Sequence, residues 1–394
     1  MEDRQRRIAA VDALRGIVMI IMALDHVRDF FHAAAMTQSP TNMATTTPAV
    51  FLTRWITHFC APVFLFTAGM GAYLWMQRGR TRSELSRFLV TRGLWLIFVE
   101  LVVMRFAFDF SLGGALPVLL ITLWALGGSM ILLAGLIYLP VQVLAASSVA
   151  VICLHNLFDG VQAQAFGSWS WVWNALHQPG VLRVGGAIVV VGYPLLPLVA
   201  TMTAGFCAGH LYAASGDTRR RAFARLGAAM TLAFVILRAI NIYGDPSRWA
   251  SQKPAVMTAL SFLNCTKYPA SLDFLLMTLG PALIVLAWLD RIRLSDGNPL
   301  LVFGRVPLFY FVGHFYWAHV LLAICVWFRY GATAFVLRAP PSVGGSRDLF
   351  PADFGWSLAV VYVVWALVVL TMYPACRWFA GVKRRRRDWW LSYT

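Results

Sequence analysis

The sequence predicts an all-α fold: a polytopic integral membrane helix bundle of about ten transmembrane helices, with both termini cytoplasmic. Three observations carry this. First, of 394 residues 59% are hydrophobic and only 13% are charged, where a soluble chain would carry about twice that charged fraction. Second, several apolar runs reach the ~18 to 20 residues that cross a bilayer. Third, the basic residues gather at the two ends of the chain and in the second, sixth and eighth connections between those runs, which is the positive-inside pattern.

Taken in order, the spans are expected at 10–33, 51–76, 89–110, 115–138, 140–158, 187–212, 223–243, 271–290, 301–328 and 356–380. Arg4, Arg6 and Arg7 precede the first. Arg78, Arg80, Arg82, Arg87 and Arg92 lie at or near the connection from the second to the third, Arg219, Arg220, Arg221 and Arg225 between the sixth and seventh. Arg291, Arg293 and Arg305 lie between the eighth and ninth, and Lys383 with Arg384 to Arg387 follow the last. With an even number of spans all of these share one face. The chain then reads as a single domain over 1–394, with a cytoplasmic tail at 1–9, a helix bundle over 10–380 and a basic cytoplasmic tail at 381–394. The apolar run of the first span is not followed by a small-residue cleavage site, so it reads as an uncleaved span.

The net charge of +16 is matched to the anionic leaflet of a lipid bilayer, and no nucleic-acid-binding motif accompanies it. Six cysteines are scattered without a CxxC pair, so neither a disulfide framework nor a metal site is expected. The connections opposite the basic ones, 34–50, 159–186, 244–270 and 329–355, are longer and less basic. In SWSWVWNALH, Trp169, Trp171 and Trp173 alternate; they suit an interfacial aromatic anchor or a platform for a sugar ring. RAPPSVGGSRDLFPADFG reads as an irregular Pro/Gly loop.

The stretch DALRGIVMIIMALDHVRDFFH, residues 12–32, places Asp12, Arg15, Asp25, His26, Arg28, Asp29 and His32 on an otherwise apolar span. At about 100° per residue, Asp12, Arg15, His26 and Asp29 share one face with Met19 and Met22 between them, while Asp25, Arg28 and His32 sit off it. Charge in hydrocarbon costs several kcal/mol unless it is paired or faces water or protein. Arg15 and His26 are separated by about 16 Å of rise, too far to pair, so the stripe is expected to line a polar chamber. In TRWITHFCAPVFLFTAG, Arg54 and His58 fall one turn apart at the depth of His26. Glu100 and an i,i+4 pair, Arg105 and Asp109, lie on the third span, and Tyr310 and His314 lie one turn apart on the ninth, with His319 further out.

Arg15 and His26 also form an R-x10-H spacing, and this resembles the signature in the first helix of the transmembrane acyltransferase superfamily. The longer stretches VDALRGIVMIIMALDHVRDFF and TRWITHFCAPVFLFTAG, then GYPLLPLVATMTAGFCAG, FLNCTKYPASLDFLLMTLGPAL and GNPLLVFGRVPLFYFVGHFY, resemble bacterial members of the heparan-alpha-glucosaminide N-acetyltransferase catalytic-domain family from residue 8 to about 380. The resemblance implies acyl transfer from cytosolic acyl-CoA, chiefly acetyl-CoA, to an amine or hydroxyl of a sugar or glycan at the outer face of a bacterial inner membrane. It implies no permanently bound cofactor, and it allows a homodimer. The lysosomal branch carries Asn where His26 stands, which leaves His32 as a second candidate for the essential histidine.

In that chemistry a histidine acts as general base or itself carries the acyl group; the sequence leaves both routes open. His26 is the first candidate, with His58 and His314 behind it, and Asp29 or Asp25 to orient the imidazole. Arg15, with Asp12 beside it, and Arg305 are the candidates for holding acyl-CoA, since guanidinium suits phosphate oxygens. Arg54, Tyr310 and His32 are candidates for the acceptor side and the oxyanion. A proton-coupled transporter would use buried Asp, Glu and His too, and an anchoring protein would need none of them.

Overall fold

The structure is a computed structural model and describes residues 2–110, 116–331, 337–386 and 388–393. Arg387 of the basic tail, residue 1 of the N-terminal tail, residues 332–336 of the fourth outer connection and the start expected for the fourth span at 115 lie outside the described residues.

Helices occupy all ten expected positions. The chain runs α1 (Glu2–Phe31), α2 (Pro48–Trp55), α3 (Cys60–Met76), α4 (Arg82–Phe98), α5 (Arg105–Asp109), β1 (Val118–Leu120), α6 (Thr122–Leu136), α7 (Val141–Leu154) and α8 (Ser170–Leu176). It continues through β2 (Gly180–Val184), β3 (Ala187–Val191), α9 (Leu196–Ala208), α10 (Gly216–Ile240), α11 (Ala255–Leu263), α12 (Leu272–Leu289), α13 (Pro299–Arg305), α14 (Pro307–Tyr330) and α15 (Leu358–Arg385). Among the described residues seven helical segments are long and apolar enough to cross a membrane on their own. The other three expected spans fall short for visible reasons: α1 and α4–α5 are rich in charge, and α6 has 15 residues.

Two pairs of neighbouring spans show antiparallel packing, and close contacts fix the direction of each. On α10 and α12, Arg219 pairs with Asp290 at 2.8 Å at one end, Gly227 packs on Gly280 in the middle, and Arg238 lies 3.8 Å from Asp273 at the other. On α4 and α6, Gly93 meets Gly127, while Glu100 accepts hydrogen bonds from the backbone N–H groups of Leu123 and Trp124 and so caps the start of α6. The glycines serve these close approaches: a Cβ at Gly205 on α9 would overlap the backbone carbonyl of Phe66 on α3. Small residues let helix backbones approach closely where lipid supplies no hydrophobic drive for association.

The basic ends collect on one face. Asp296 accepts from Arg305 at 2.8 Å and lies 3.4 Å from Arg384, tying the α12–α13 connection to the end of α15. The hydrogen bond and charge of Arg305 hold the exposed Asp296 carboxyl below its ordinary value. The tail is helical as far as Arg385, beyond the expected boundary at 380, and Tyr393 returns to α4, with 2.8 Å between its hydroxyl and that of Thr91.

A small sheet interrupts the helical pattern where two spans were expected to begin. β3 pairs in parallel with β1 and antiparallel with β2. AIVVV reads as the start of an apolar helix, but β-branched residues favour extended backbone and Gly185–Gly186, both at positive φ, supply the hairpin turn that pairs them with β2. The sixth span therefore starts at Leu196. The ninth expected span is split: α13 ends at Arg305 and α14 begins at Pro307. Proline fits the first turn of a helix and disrupts an interior.

Candidate active site

The polar stripe of α1 lines two cavities in turn. The inner one, about 420 Å³, is bordered by Arg15, Met19, Arg78 and Arg92, with apolar walls from α3, α4, α6 and α14. The outer one, about 830 Å³, is bordered by Met22, Asp25, His26, Arg28 and Asp29, with Arg54, Glu100, Tyr193, Lys267 and Tyr268. Phe64, Thr122 and Phe311 line both. They form the constriction at which the two cavities meet.

His26 stands on the outer side of that constriction, its ring edge-on to Phe315 at 4.7 Å and Phe311 at 6.0 Å. Its Nδ1 lies 2.8 Å from Nε2 of His314 on α14, and Nδ1 of His314 lies 2.7 Å from the carbonyl oxygen of Tyr310. A carbonyl can only accept, so Nδ1 of His314 carries a proton and donates it. With one proton per ring, Nε2 of His314 is an acceptor and Nδ1 of His26 must donate to it. Nε2 of His26 is then left with its lone pair, and no other described residue takes it. The chain of bonds from the Tyr310 carbonyl thus presents one basic nitrogen next to the cavity.

This corrects the expected partner. Asp25 and Asp29 do not hold the imidazole: Arg28 donates to both, at 2.8 and 2.6 Å, and Arg54 donates to Asp25. Sequence favoured the carboxylates because they are neighbours on the same helix. The histidine that orients His26 is 288 residues away. Asp25 and Arg28, read as off the stripe, line the outer cavity together with Asp29.

The remaining candidates divide by place. Arg15 borders the inner cavity; it donates to the hydroxyl of Thr67 at 3.2 Å and its carbonyl at 2.6 Å, with Asp12 at 3.6 Å. Asp12 and Arg305 border neither cavity, and Arg305 is bonded to Asp296. Arg54 borders the outer cavity. His58 does not; it is buried against Phe274, because the chain from Ile56 to Phe59 tightens into a 3₁₀ turn and breaks the face it was expected to share with Arg54. Tyr310 is fully buried, stacked on His314 and tilted against Phe303, and contributes its carbonyl rather than its hydroxyl. His32 pairs through its backbone with Trp356 and borders an adjoining cleft with Ala34 and Thr45 to Thr47. Arg105 and Asp109 do not pair: Arg105 donates to the Pro117 carbonyl, and Asp109 accepts from the backbone of Ala339 and lies 3.7 Å from Arg338. His319 is bonded to the Ala107 carbonyl at 2.7 Å. The indole of Trp173 donates to the Val161 carbonyl and Trp169 and Trp171 are exposed, so the alternating tryptophans border neither cavity.

Lys267, Tyr193 and Tyr268 were not singled out from the sequence. A lysine beyond the positive-inside face, in the dipeptide Lys267–Tyr268, was the available signal.

These features define a class: a polytopic helical membrane protein with its polar centre where an inner, basic cavity meets an outer, ion-paired one. A family model described as heparan-alpha-glucosaminide N-acetyltransferase, catalytic, matches residues 7–243, and the chain belongs to that family. Membership implies a transmembrane acetyltransferase. The match takes in Arg15, His26, Asp25, Asp29 and Arg54; His314 and Lys267 lie beyond it. No curated protein matches the chain.

Proposed function

We propose that the protein moves an acetyl group from acetyl-CoA, entering at the basic face, to a sugar or glycan acceptor in the outer cavity. On this reading the basic face is cytoplasmic and the protein spans a plasma membrane, the inner membrane of a bacterium. The observation that supports it most is the His26–His314 pair beside the constriction shared by the two cavities. A thioester passed outward through the inner cavity would reach Nε2 of His26 there.

In the direct route, Nε2 of His26 takes the proton of the acceptor O–H or N–H, the acceptor atom bonds to the carbonyl carbon, and the carbon–sulfur bond breaks. The proton returns from His26 to the thiolate, releasing CoA. In the two-step route Nε2 carries the acetyl group between donor and acceptor. Arg15, Arg78 and Arg92 offer guanidinium groups to the phosphates of CoA, and the apolar walls suit the pantetheine arm.

Purified protein incubated with radiolabelled acetyl-CoA and a mixed glycan extract tests the reading. Release of CoA with label on protein or glycan is expected, lost in His26→Ala while the variant remains folded. Full transfer by His26→Ala would overturn the role of His26. No CoA release from wild type would overturn acyl transfer, and proton-coupled uptake by proteoliposomes would then identify a carrier.

A further inference from the structure

A hollow of about 610 Å³ lies along α15 towards its basic end, and it shares no lining residue with the inner or outer cavity. The sequence of α15 leaves this space open. Pro374 stands inside the helix, and Gly381, two turns further on, has no side chain to fill it. A Cβ at Gly381 would meet only the guanidinium of Arg385, at 3.8 Å. Tyr373 forms one wall and donates its hydroxyl to the Gly297 carbonyl at 2.6 Å, which ties the hollow to the connection between α12 and α13.

Arg377, Arg384 and Arg385 all border the hollow. Arg384 lies 3.4 Å from Asp296, a carboxylate that also accepts from Arg305. Arg377 and Arg385 are exposed and make no hydrogen bond or ion pair among the described residues. Three guanidinium groups thus border one space, with a single carboxylate nearby that is already shared. Such a site calls for an anion with several acceptor oxygens, since guanidinium suits phosphate.

The helix face beyond the hollow says which anion. At about 100° per residue, Val363, Leu367 and Leu370 lie on the same face of α15 as Pro374, Arg377, Gly381 and Arg385. All three apolar side chains are exposed, on a helix long and apolar enough to cross the membrane. Trp378 borders the hollow and is 62% exposed, as an indole at the headgroup level is. The order along this face is apolar ridge, interfacial ring, then paired cations. It matches a molecule with an acyl chain below a phosphate; a free anion would use only the upper half.

We propose that this hollow binds an anionic phospholipid from the leaflet at the basic face. Its phosphate lies between Arg377 and Arg385, and an acyl chain runs along Leu370, Leu367 and Val363. Basic connections attract an anionic leaflet in general. The hollow adds a shaped site that holds one lipid, and it is independent of the acyl-transfer reading.

The test titrates the purified full-length protein in detergent with phosphatidylglycerol or with phosphatidylcholine of the same acyl chains. Native mass spectrometry counts bound lipid, and circular dichroism checks that each variant is folded. Phosphatidylglycerol should bind in preference to phosphatidylcholine. Arg377→Gln with Arg385→Gln should weaken its binding about tenfold or more, the size of one charge-assisted hydrogen bond. Gly381→Leu should weaken it as much with no change of charge, because the new side chain fills the hollow, and leucine is the better helix former. Arg291→Gln with Arg293→Gln removes two exposed arginines that do not border the hollow and should leave binding unchanged. Equal binding of the two lipids, an equal loss in the Arg291 and Arg293 pair, or unmoved binding in the Arg377 and Arg385 pair or in Gly381→Leu would overturn the inference. Inorganic phosphate that displaces the lipid more than chloride does at equal ionic strength would make the ligand a free anion, and would overturn it too.

Discussion

Replacing His314 by Phe removes the acceptor of the His26 Nδ1 proton and keeps a ring of similar size in a fully buried position. When His26 takes a proton, its imidazolium donates to Nε2 of His314 across 2.8 Å. A hydrogen bond from a charged donor contributes about 1.5 to 3 kcal/mol net, which corresponds to a loss of about 10- to 150-fold in rate. The interaction strengthens only as charge develops on His26, so the loss should appear in kcat, with KM for acetyl-CoA nearly unchanged. His314→Gln, which restores a side-chain acceptor and donor, should recover part of the loss. Steady-state kinetics with purified protein reads both numbers, and circular dichroism with thermal melting checks that each variant is folded. A His314→Phe enzyme that is folded and has wild-type kcat would refute the relay from the Tyr310 carbonyl through His314 to His26.

Two other variants probe the donor side and the frame. Arg15→Gln should raise the apparent KM for acetyl-CoA about tenfold or more, through loss of one charged contact to phosphate; an unchanged donor KM would take Arg15 out of the donor site. Asp290→Asn leaves the buried guanidinium of Arg219 without its counter-charge and should cost about 3 to 5 kcal/mol of stability, seen as a lower melting temperature in detergent. The double variant Arg219→Met with Asp290→Met should recover most of that loss.

The fold class was legible because a bilayer imposes a coarse code. Spans announce themselves by length and apolarity, and basic connections by their charge, so all ten helical positions could be read locally. The stripe of α1 was legible for a related reason: hydrocarbon makes charge costly, so Arg15, His26 and Asp29 had to face inward, and helical geometry placed them on one side with Met19 and Met22. Local pattern failed where a different backbone competes. The β3 stretch AIVVV is as apolar as a span, and only its pairing with β1 and β2 made it a strand.

What the tertiary structure decided is the partner of each charged group. Asp25 and Asp29 are near His26 in sequence and were its natural partners, but Arg28 and Arg54 occupy them. His314, Lys267 and Phe311 come to the same place from α14 and from the loop before α12. A single sequence shows which groups need a partner, because burial is periodic along a helix. Which group meets that need depends on how ten helices are arranged around α1, and that arrangement is set by close contacts such as Gly205 on Phe66 and Gly227 on Gly280, whose matching surfaces lie far apart in the chain.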